Sequence, residues 1–188
     1  MATGEEFAHQ AESEIYTGVP YDKLDCQGFV ERVLADLGIR NSSGKPYNWK
    51  GSNSMWRSAL SWRGTLEECR NKYGEIPLGA WVFIVKHDGG EKARGYNDND
   101  GNAAHVGIYI GGGALAVRDS TKTKRRDGVG YRVLEGFTHV GLCKYLTYDC
   151  DSKPTNIETA IHIIRDHAST DKEYLDALTT IINYFGRV

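Results

Sequence analysis

The sequence predicts an α+β domain in which helices lead and an antiparallel sheet follows. Two observations carry that expectation. After Asp25, the residues Cys26, Phe29, Val30, Val33, Leu34 and Leu37 fall on one face at helical spacing. From Pro77 onward the pattern changes to short apolar runs separated by glycine-rich turns, as sequential strands require.

Residues 5–20 read as a helix leading into the Thr17-Gly18-Val19-Pro20 turn. The next helix begins at about Cys26, with Asp25 as N-cap and Gly38 as the stop. Residues 39–75 are rich in Gly, Ser, Asn and Trp, with short helices expected near Ser54–Leu60 and Thr65–Tyr73. Ala80–Val85 is an apolar run of strand length closed by Asp88-Gly89-Gly90, and Glu91–Asn102 is a polar loop. Strands are then expected at Ala104–Ile110, Ala114–Arg118, Gly130–Leu134 and within Gly136–Leu146. In the tail, Thr155-Asn156-Ile157-Glu158 and Thr170-Asp171-Lys172-Glu173 both match the capping box and precede apolar positions at helical spacing. The expected organisation is one main domain over residues 1–150, with a C-terminal αα-hairpin over 151–188 packed on it.

Composition excludes several function classes. A net charge of −2 argues against a dedicated nucleic-acid binder. The acidic start Met-Ala-Thr-Gly-Glu-Glu has no apolar run behind it, so neither a signal peptide nor membrane insertion is expected. The four cysteines include no CxxC pair, which argues against a disulfide scaffold and a cysteine-rich zinc site. Asp98-Asn99-Asp100-Gly101 hints at a calcium loop but lacks the first ligand and the distal glutamate, so it reads as a polar loop. No metal is expected. Lys122, Lys124, Arg125 and Arg126 form a basic run that reads first as a solvated hairpin tip, with contact to anionic polymers as the alternative. Trp49, Trp56 and Trp62 are taken as buried aromatics before they are taken as a cleft lining.

Cys26 carries the chemistry. A thiol in the first turn of a helix faces unpaired N–H groups and the positive end of the helix dipole, both of which favour thiolate. The competing reading, equally good on the helix alone, is an inert apolar core residue. A thiolate nucleophile needs a base within reach and a third group to orient that base. Of the six histidines, His105 and His139 stand at strand starts, and chemistry alone does not choose between them. His105 opens the more regular strand, and the hairpin that follows brings a second strand alongside it.

Asp25-Cys26-Gln27-Gly28-Phe29, then Gly79-Ala80-Trp81-Val82-Phe83, then His105-Val106-Gly107-Ile108-Tyr109-Ile110-Gly111 resembles, in order, the three motifs of the NlpC/P60 family of papain-like cysteine peptidases. The resemblance spans about Tyr21 to Tyr145. It implies a papain-like fold with Cys26 as nucleophile and His105 as base, leaving His139 a structural role. The family's third residue is a polar side chain on the strand after the base. An ungapped count of about a dozen positions reaches Val117, whereas Asp119, two residues on and on the same strand face, heads an Asp119-Ser120-Thr121 stretch like that of phage-type relatives. Asp119 is therefore the expected orienter. Tyr21 is the expected counterpart of a tyrosine that helps hold the oxyanion, although the family's usual spacing is longer. Gln27 stands where serine is common and is expected to act in packing or on the substrate side.

The resemblance implies hydrolysis of an amide in peptidoglycan stem peptides, of the D-γ-glutamyl-diamino acid type, through a Cys26 acyl-enzyme without any cofactor. The alternatives are an N-acetylmuramoyl amidase or transpeptidase on the same scaffold, or a non-catalytic phage structural or binding protein. The expected partners are peptidoglycan peptides and, for a phage product, other tail components. The expected location is synthesis in the bacterial cytoplasm and action on the cell wall, as for a phage or prophage hydrolase or endolysin.

Overall fold

Helix α2, Cys26–Asp36, forms where the sequence marks it most clearly. Asp25 stays extended and its carboxylate accepts the Gly28 N–H at 2.7 Å, which caps the helix. At the other end Gly38 takes a positive φ of 76°. Phe29, Val30, Val33 and Leu34 are fully buried, each contributing roughly 1.5–3 kcal/mol of transfer free energy. They press α2 onto the sheet described below.

A computed structural model of the chain describes residues 1–86, 93, 95–111, 113–148 and 178–182. Helix α1 spans Gly4–Ala11, α3 Ser52–Ser58 and α4 Leu66–Tyr73. The strands are β1 Leu60–Thr65, β2 Trp81–Lys86, β3 Asn102–Tyr109, β4 Val117–Lys122, β5 Asp127–Arg132 and β6 His139–Cys143. They form one six-stranded sheet in the order β1-β6-β2-β3-β4-β5, with every pairing antiparallel. The chain is thus α+β: α2 and α3 pack on β3, α1 packs on α2, and the core lies between these helices and the sheet. Among the described residues no helix is long and apolar enough to cross a membrane.

The strand expected at Gly130–Leu134 lies earlier, at Asp127–Arg132, because its pairing with β4 starts at Lys122 opposite Asp127. Four further expectations need correction. The helix expected over residues 5–20 ends at Ala11, because Ser13 turns extended and a short 3-10 turn, Glu14–Tyr16, follows. That turn directs Tyr16 inward, edge-on to Phe29 at 5.4 Å, with its hydroxyl donating to Asp36 at 2.8 Å. Leu60 begins strand β1 instead of ending α3, pairing with Cys143 of β6. The strand expected at Ala114–Arg118 lies later, at Val117–Lys122, since Gly113–Leu115 forms a 3-10 turn with Gly113 at φ 87°. The last strand is shorter than Gly136–Leu146, because Gly136 and Phe137 still belong to the turn that Phe137 N–H closes on the Leu134 carbonyl. The hairpin expected over 151–188 lies outside the described residues except for 178–182, which are helical; the Asp88-Gly89-Gly90 turn and part of the 91–102 loop also lie outside the described residues.

Candidate active site

The segment that delivers Cys26 is fastened to β4 and β5 along its length. Arg118, buried in β4, donates to the Ala11 carbonyl at 3.3 Å and the Thr17 hydroxyl at 2.8 Å. Val129 N–H reaches the Val19 carbonyl, Tyr21 N–H reaches Asp127 Oδ1 at 3.0 Å, and Lys122 pairs with Asp22 at 3.0 Å. The Ser120 hydroxyl donates to the Leu24 carbonyl, one residue before the N-cap. Gly128, at φ 105°, makes the approach possible, because a side chain there would collide with the Val19 carbonyl. The strand pair therefore fixes where the helix begins, and with it where the thiol sits.

His105 and Asp119 meet as their strand parity predicts. The β3–β4 pairing sets Tyr109 opposite Val117 and Ile108 opposite Arg118. Continued by one step, that register puts Gly107 opposite Asp119 and makes His105 the diagonal neighbour on the same face. Gly107 is needed for this contact. A Cβ at that position would come within 2.7 Å of Val117 Cγ1 and 3.1 Å of Asp119 Cβ. His105 Nε2 lies 2.7 Å from Asp119 Oδ2, which leaves Nδ1 as the ring nitrogen that meets Cys26. The His105 side chain is 13% exposed and that of Asp119 is fully buried.

Burial opposes a charge on His105, yet its pKa is raised to about 9 by the bond to Asp119 and by the bond and charge of Cys26. Burial likewise opposes ionisation of Asp119, and His105 and Arg126 overcome it, holding the carboxyl below the ordinary carboxylate range. Phe137 lies against the imidazole, with ring centres 5.9 Å apart, and the Arg132 guanidinium sits 4.9 Å above Phe137.

Tyr21 stands at the thiol. Its hydroxyl lies 4.0 Å from Cys26 Sγ and within reach of the Cys26 backbone N–H. Burial, followed by the neighbouring Cys26, pushes the phenol up to about 12, so it remains a hydrogen-bond donor at neutral pH. The five-residue spacing thus brings Tyr21 to the thiol without the longer loop of the family pattern.

Gln27, expected in packing or on the substrate side, is held in packing contacts. Its amide donates to Glu31 at 2.8 Å and to the Trp49 carbonyl. Both N–H donors are then used, and the side chain anchors the Tyr47–Lys50 segment. Glu31 completes the anchor by accepting the Trp49 N–H at 2.5 Å. Trp49 in turn stacks on Tyr47 at 4.7 Å and meets Trp81 edge-on at 5.7 Å.

Two other motifs are absorbed by packing. His139 lies on β6, separated from β3 by β2, bonded to Thr138 and edge-on to Trp56 at 5.4 Å. Asp98 and Asp100 pair with Arg57 and Arg63 at 2.6 and 2.8 Å, so their carboxylates serve as loop anchors. Among the described residues no group of three or more His, Cys, Asp or Glu side chains is arranged to hold a metal ion. In the basic run, Lys124 and Arg125 are exposed as expected, whereas Arg126 folds back onto Asp119.

The sequence did not reveal two arginines on Asp119, Arg126 on Oδ1 and Arg132 at 3.4 Å from Oδ2. The glycine alternation Gly128-Val129-Gly130 was the available signal, since glycine inside a strand marks close approach of another group. Cys26, His105 and Asp119 thus provide a thiol at a helix start, a base touching it, and a carboxylate orienting the base. Such an arrangement is competent for attack on an acyl carbon. No family model matches the chain, and no curated protein or solved structure matches it at a significant level.

Proposed function

We propose that this protein is a papain-like cysteine hydrolase of the NlpC/P60 type that cleaves an amide in the stem peptide of peptidoglycan. The observation that carries the reading is the contact series Cys26–His105–Asp119 at the start of α2. The substrate class is supported by the resemblance of the three sequence motifs.

In this reading His105 Nδ1 takes the Cys26 thiol proton and Sγ bonds to the amide carbon. The carbonyl oxygen becomes an oxyanion, which takes over the Cys26 N–H from the Tyr21 oxygen and also accepts from the Tyr21 hydroxyl. As the C–N bond breaks, the imidazolium gives its proton to the departing amine and leaves a thioester on Cys26. His105 then removes a proton from water, whose oxygen attacks the thioester. The acid product departs and the thiol regains its proton. Throughout, Asp119 holds the ring by Nε2, so that Nδ1 stays aimed at sulfur.

Incubating purified peptidoglycan with wild type and with Cys26→Ala, followed by mass analysis of the fragments, tests the reading. New free amines on diamino acid residues in the wild-type digest alone support it. Release of intact stem peptides from muramic acid would reassign the bond to an amidase, and unchanged peptidoglycan in both digests would remove the hydrolase reading.

A further inference from the structure

We propose that Arg126 is a positioning residue of this site, a permanent counter-ion that keeps Asp119 charged and aimed at His105 whether or not the ring carries a proton. The proposal rests on the reading of Cys26 and His105 as nucleophile and base. It adds a residue to that machinery that no part of the motif pattern contains.

A fully buried carboxylate needs a positive partner. His105 can supply one only while protonated, and a base must spend part of every cycle neutral. With His105 alone, Asp119 would be left as an uncompensated buried charge at that stage, and the ring would hold on to its proton more tightly. Arg126 removes the difficulty, because a guanidinium stays charged at every working pH. It binds Oδ1 and leaves Oδ2 to His105, so the two partners do not compete for one oxygen. Arg132 adds a weaker contact to Oδ2 at 3.4 Å.

The fold contains a slot for this side chain. Arg126 lies in the turn between β4 and β5, where the Thr123 N–H donates to its carbonyl at 2.7 Å. From there it runs back along the hairpin over Gly130, the residue paired with Asp119. A Cβ on Gly130 would meet Arg126 Nη1 at 2.6 Å and Cδ at 2.7 Å. The same Nη1 donates to the Tyr131 carbonyl at 2.9 Å. Asp119 is therefore flanked by two glycines. Gly107 admits its approach to β3, and Gly130 admits its counter-ion. A guanidinium that merely dangled from a hairpin tip would require neither an empty neighbour nor a second anchor.

The charged and titratable groups around the His105–Asp119 pair are Cys26 at the ring, with Tyr21 at the Cys26 thiol, and Arg126 from the hairpin turn and Arg132 from β5 on the Asp119 carboxylate. Removing one positive charge from this set favours the imidazolium. The test is an NMR titration of the His105 ring protons, assigned by comparison with His105→Gln, in wild type, Arg126→Gln, Arg126→Lys, Gly130→Ala and Arg125→Gln. The expected result is a rise of about one pH unit in the His105 midpoint in Arg126→Gln. Lysine restores part of the shift, and Arg125→Gln, on the exposed neighbour, does not move it. Gly130→Ala keeps the arginine but fills its slot, and is expected to shift the midpoint in the same direction. It keeps the proposal open to refutation if Arg126→Gln does not fold. A midpoint that stays in place or falls in folded Arg126→Gln, or in Gly130→Ala, overturns the proposal. The readout needs no substrate. Failure of the hydrolase reading would appear separately, as an unreactive Cys26 in wild type.

Discussion

Replacing Asp119 with Asn removes a charge while keeping a hydrogen-bonding side chain of nearly the same volume. In the native protein the His105 pKa is raised to about 9 against burial, with the Asp119 bond the largest favourable influence. In Asp119→Asn that bond loses its charge, while burial, Arg126 and Arg132 remain to oppose a proton on the ring. The bond and charge of Cys26 still favour the imidazolium, so the midpoint is expected to fall to near the ordinary value of 6.5, by about 2.5 pH units. At pH 7.5 the protonated fraction drops from nearly complete to about one-tenth. Loss of a poised acid–base group and of its orientation together predicts a fall of about 10²–10⁴-fold in kcat/KM. The assay is an NMR titration of His105 alongside initial rates on a peptidoglycan fragment across pH 5–10. A His105 midpoint still near 9 in a folded Asp119→Asn protein would refute the electrostatic role of Asp119 derived above.

Other outcomes follow from the same geometry. Tyr21→Phe removes one donor beside the thiol and is expected to lower kcat by about 10²-fold with little change in KM, as measured by steady-state rates. Gly107→Ala pushes β3 and β4 apart at Asp119 and is expected to cost about 1–3 kcal/mol in denaturant unfolding, with activity falling as well. Gln27→Ala releases the Trp49 segment and is expected to cost about 1 kcal/mol of stability while leaving the thiol reactive, as measured by melting and alkylation. Stability should also depend on pH through His105. Its folded-state pKa lies above the ordinary value, so the contribution is complete below pH 6.5 and is lost as pH rises through about 9. Wild type is therefore expected to lose melting temperature over that window relative to His105→Gln.

The parts of this molecule that the sequence discloses are those governed by local pattern. The Asp25 cap, the α2 face and the Gly38 stop act within a few residues of one another, so α2 is readable almost to its ends. The strand parity that links Val117 to Asp119 also holds without knowledge of the fold, and it pairs Asp119 with His105 across 14 residues. Strand β1 is different. Leu60-Ser61-Trp62-Arg63-Gly64-Thr65 has little strand character of its own and forms because β6 lies beside it. Strand β4 escapes an apolar reading because Arg118, Asp119 and Ser120 are polar and nevertheless buried. Each is buried against a partner far away in sequence: Ala11 and Thr17, His105, and Leu24. Arg126 looked like one charge of a solvated run because only the folded hairpin returns it to Asp119. Gln27 looked like a site residue because it adjoins Cys26, yet the helix turns its amide toward Glu31 and Trp49.

The central claim is that Cys26 is an activated nucleophile, and its rate of alkylation tests this without any assumption about substrate. Wild type and His105→Gln would be treated with iodoacetamide at neutral pH, and labelling of each cysteine followed by peptide mass analysis. Cys26 is expected to react at least about tenfold faster than free cysteine, Cys69 and Cys143 to stay unlabelled in the core, and the advantage to disappear in His105→Gln. Labelling of Cys26 no faster than a free thiol, or labelling indifferent to His105, would contradict it.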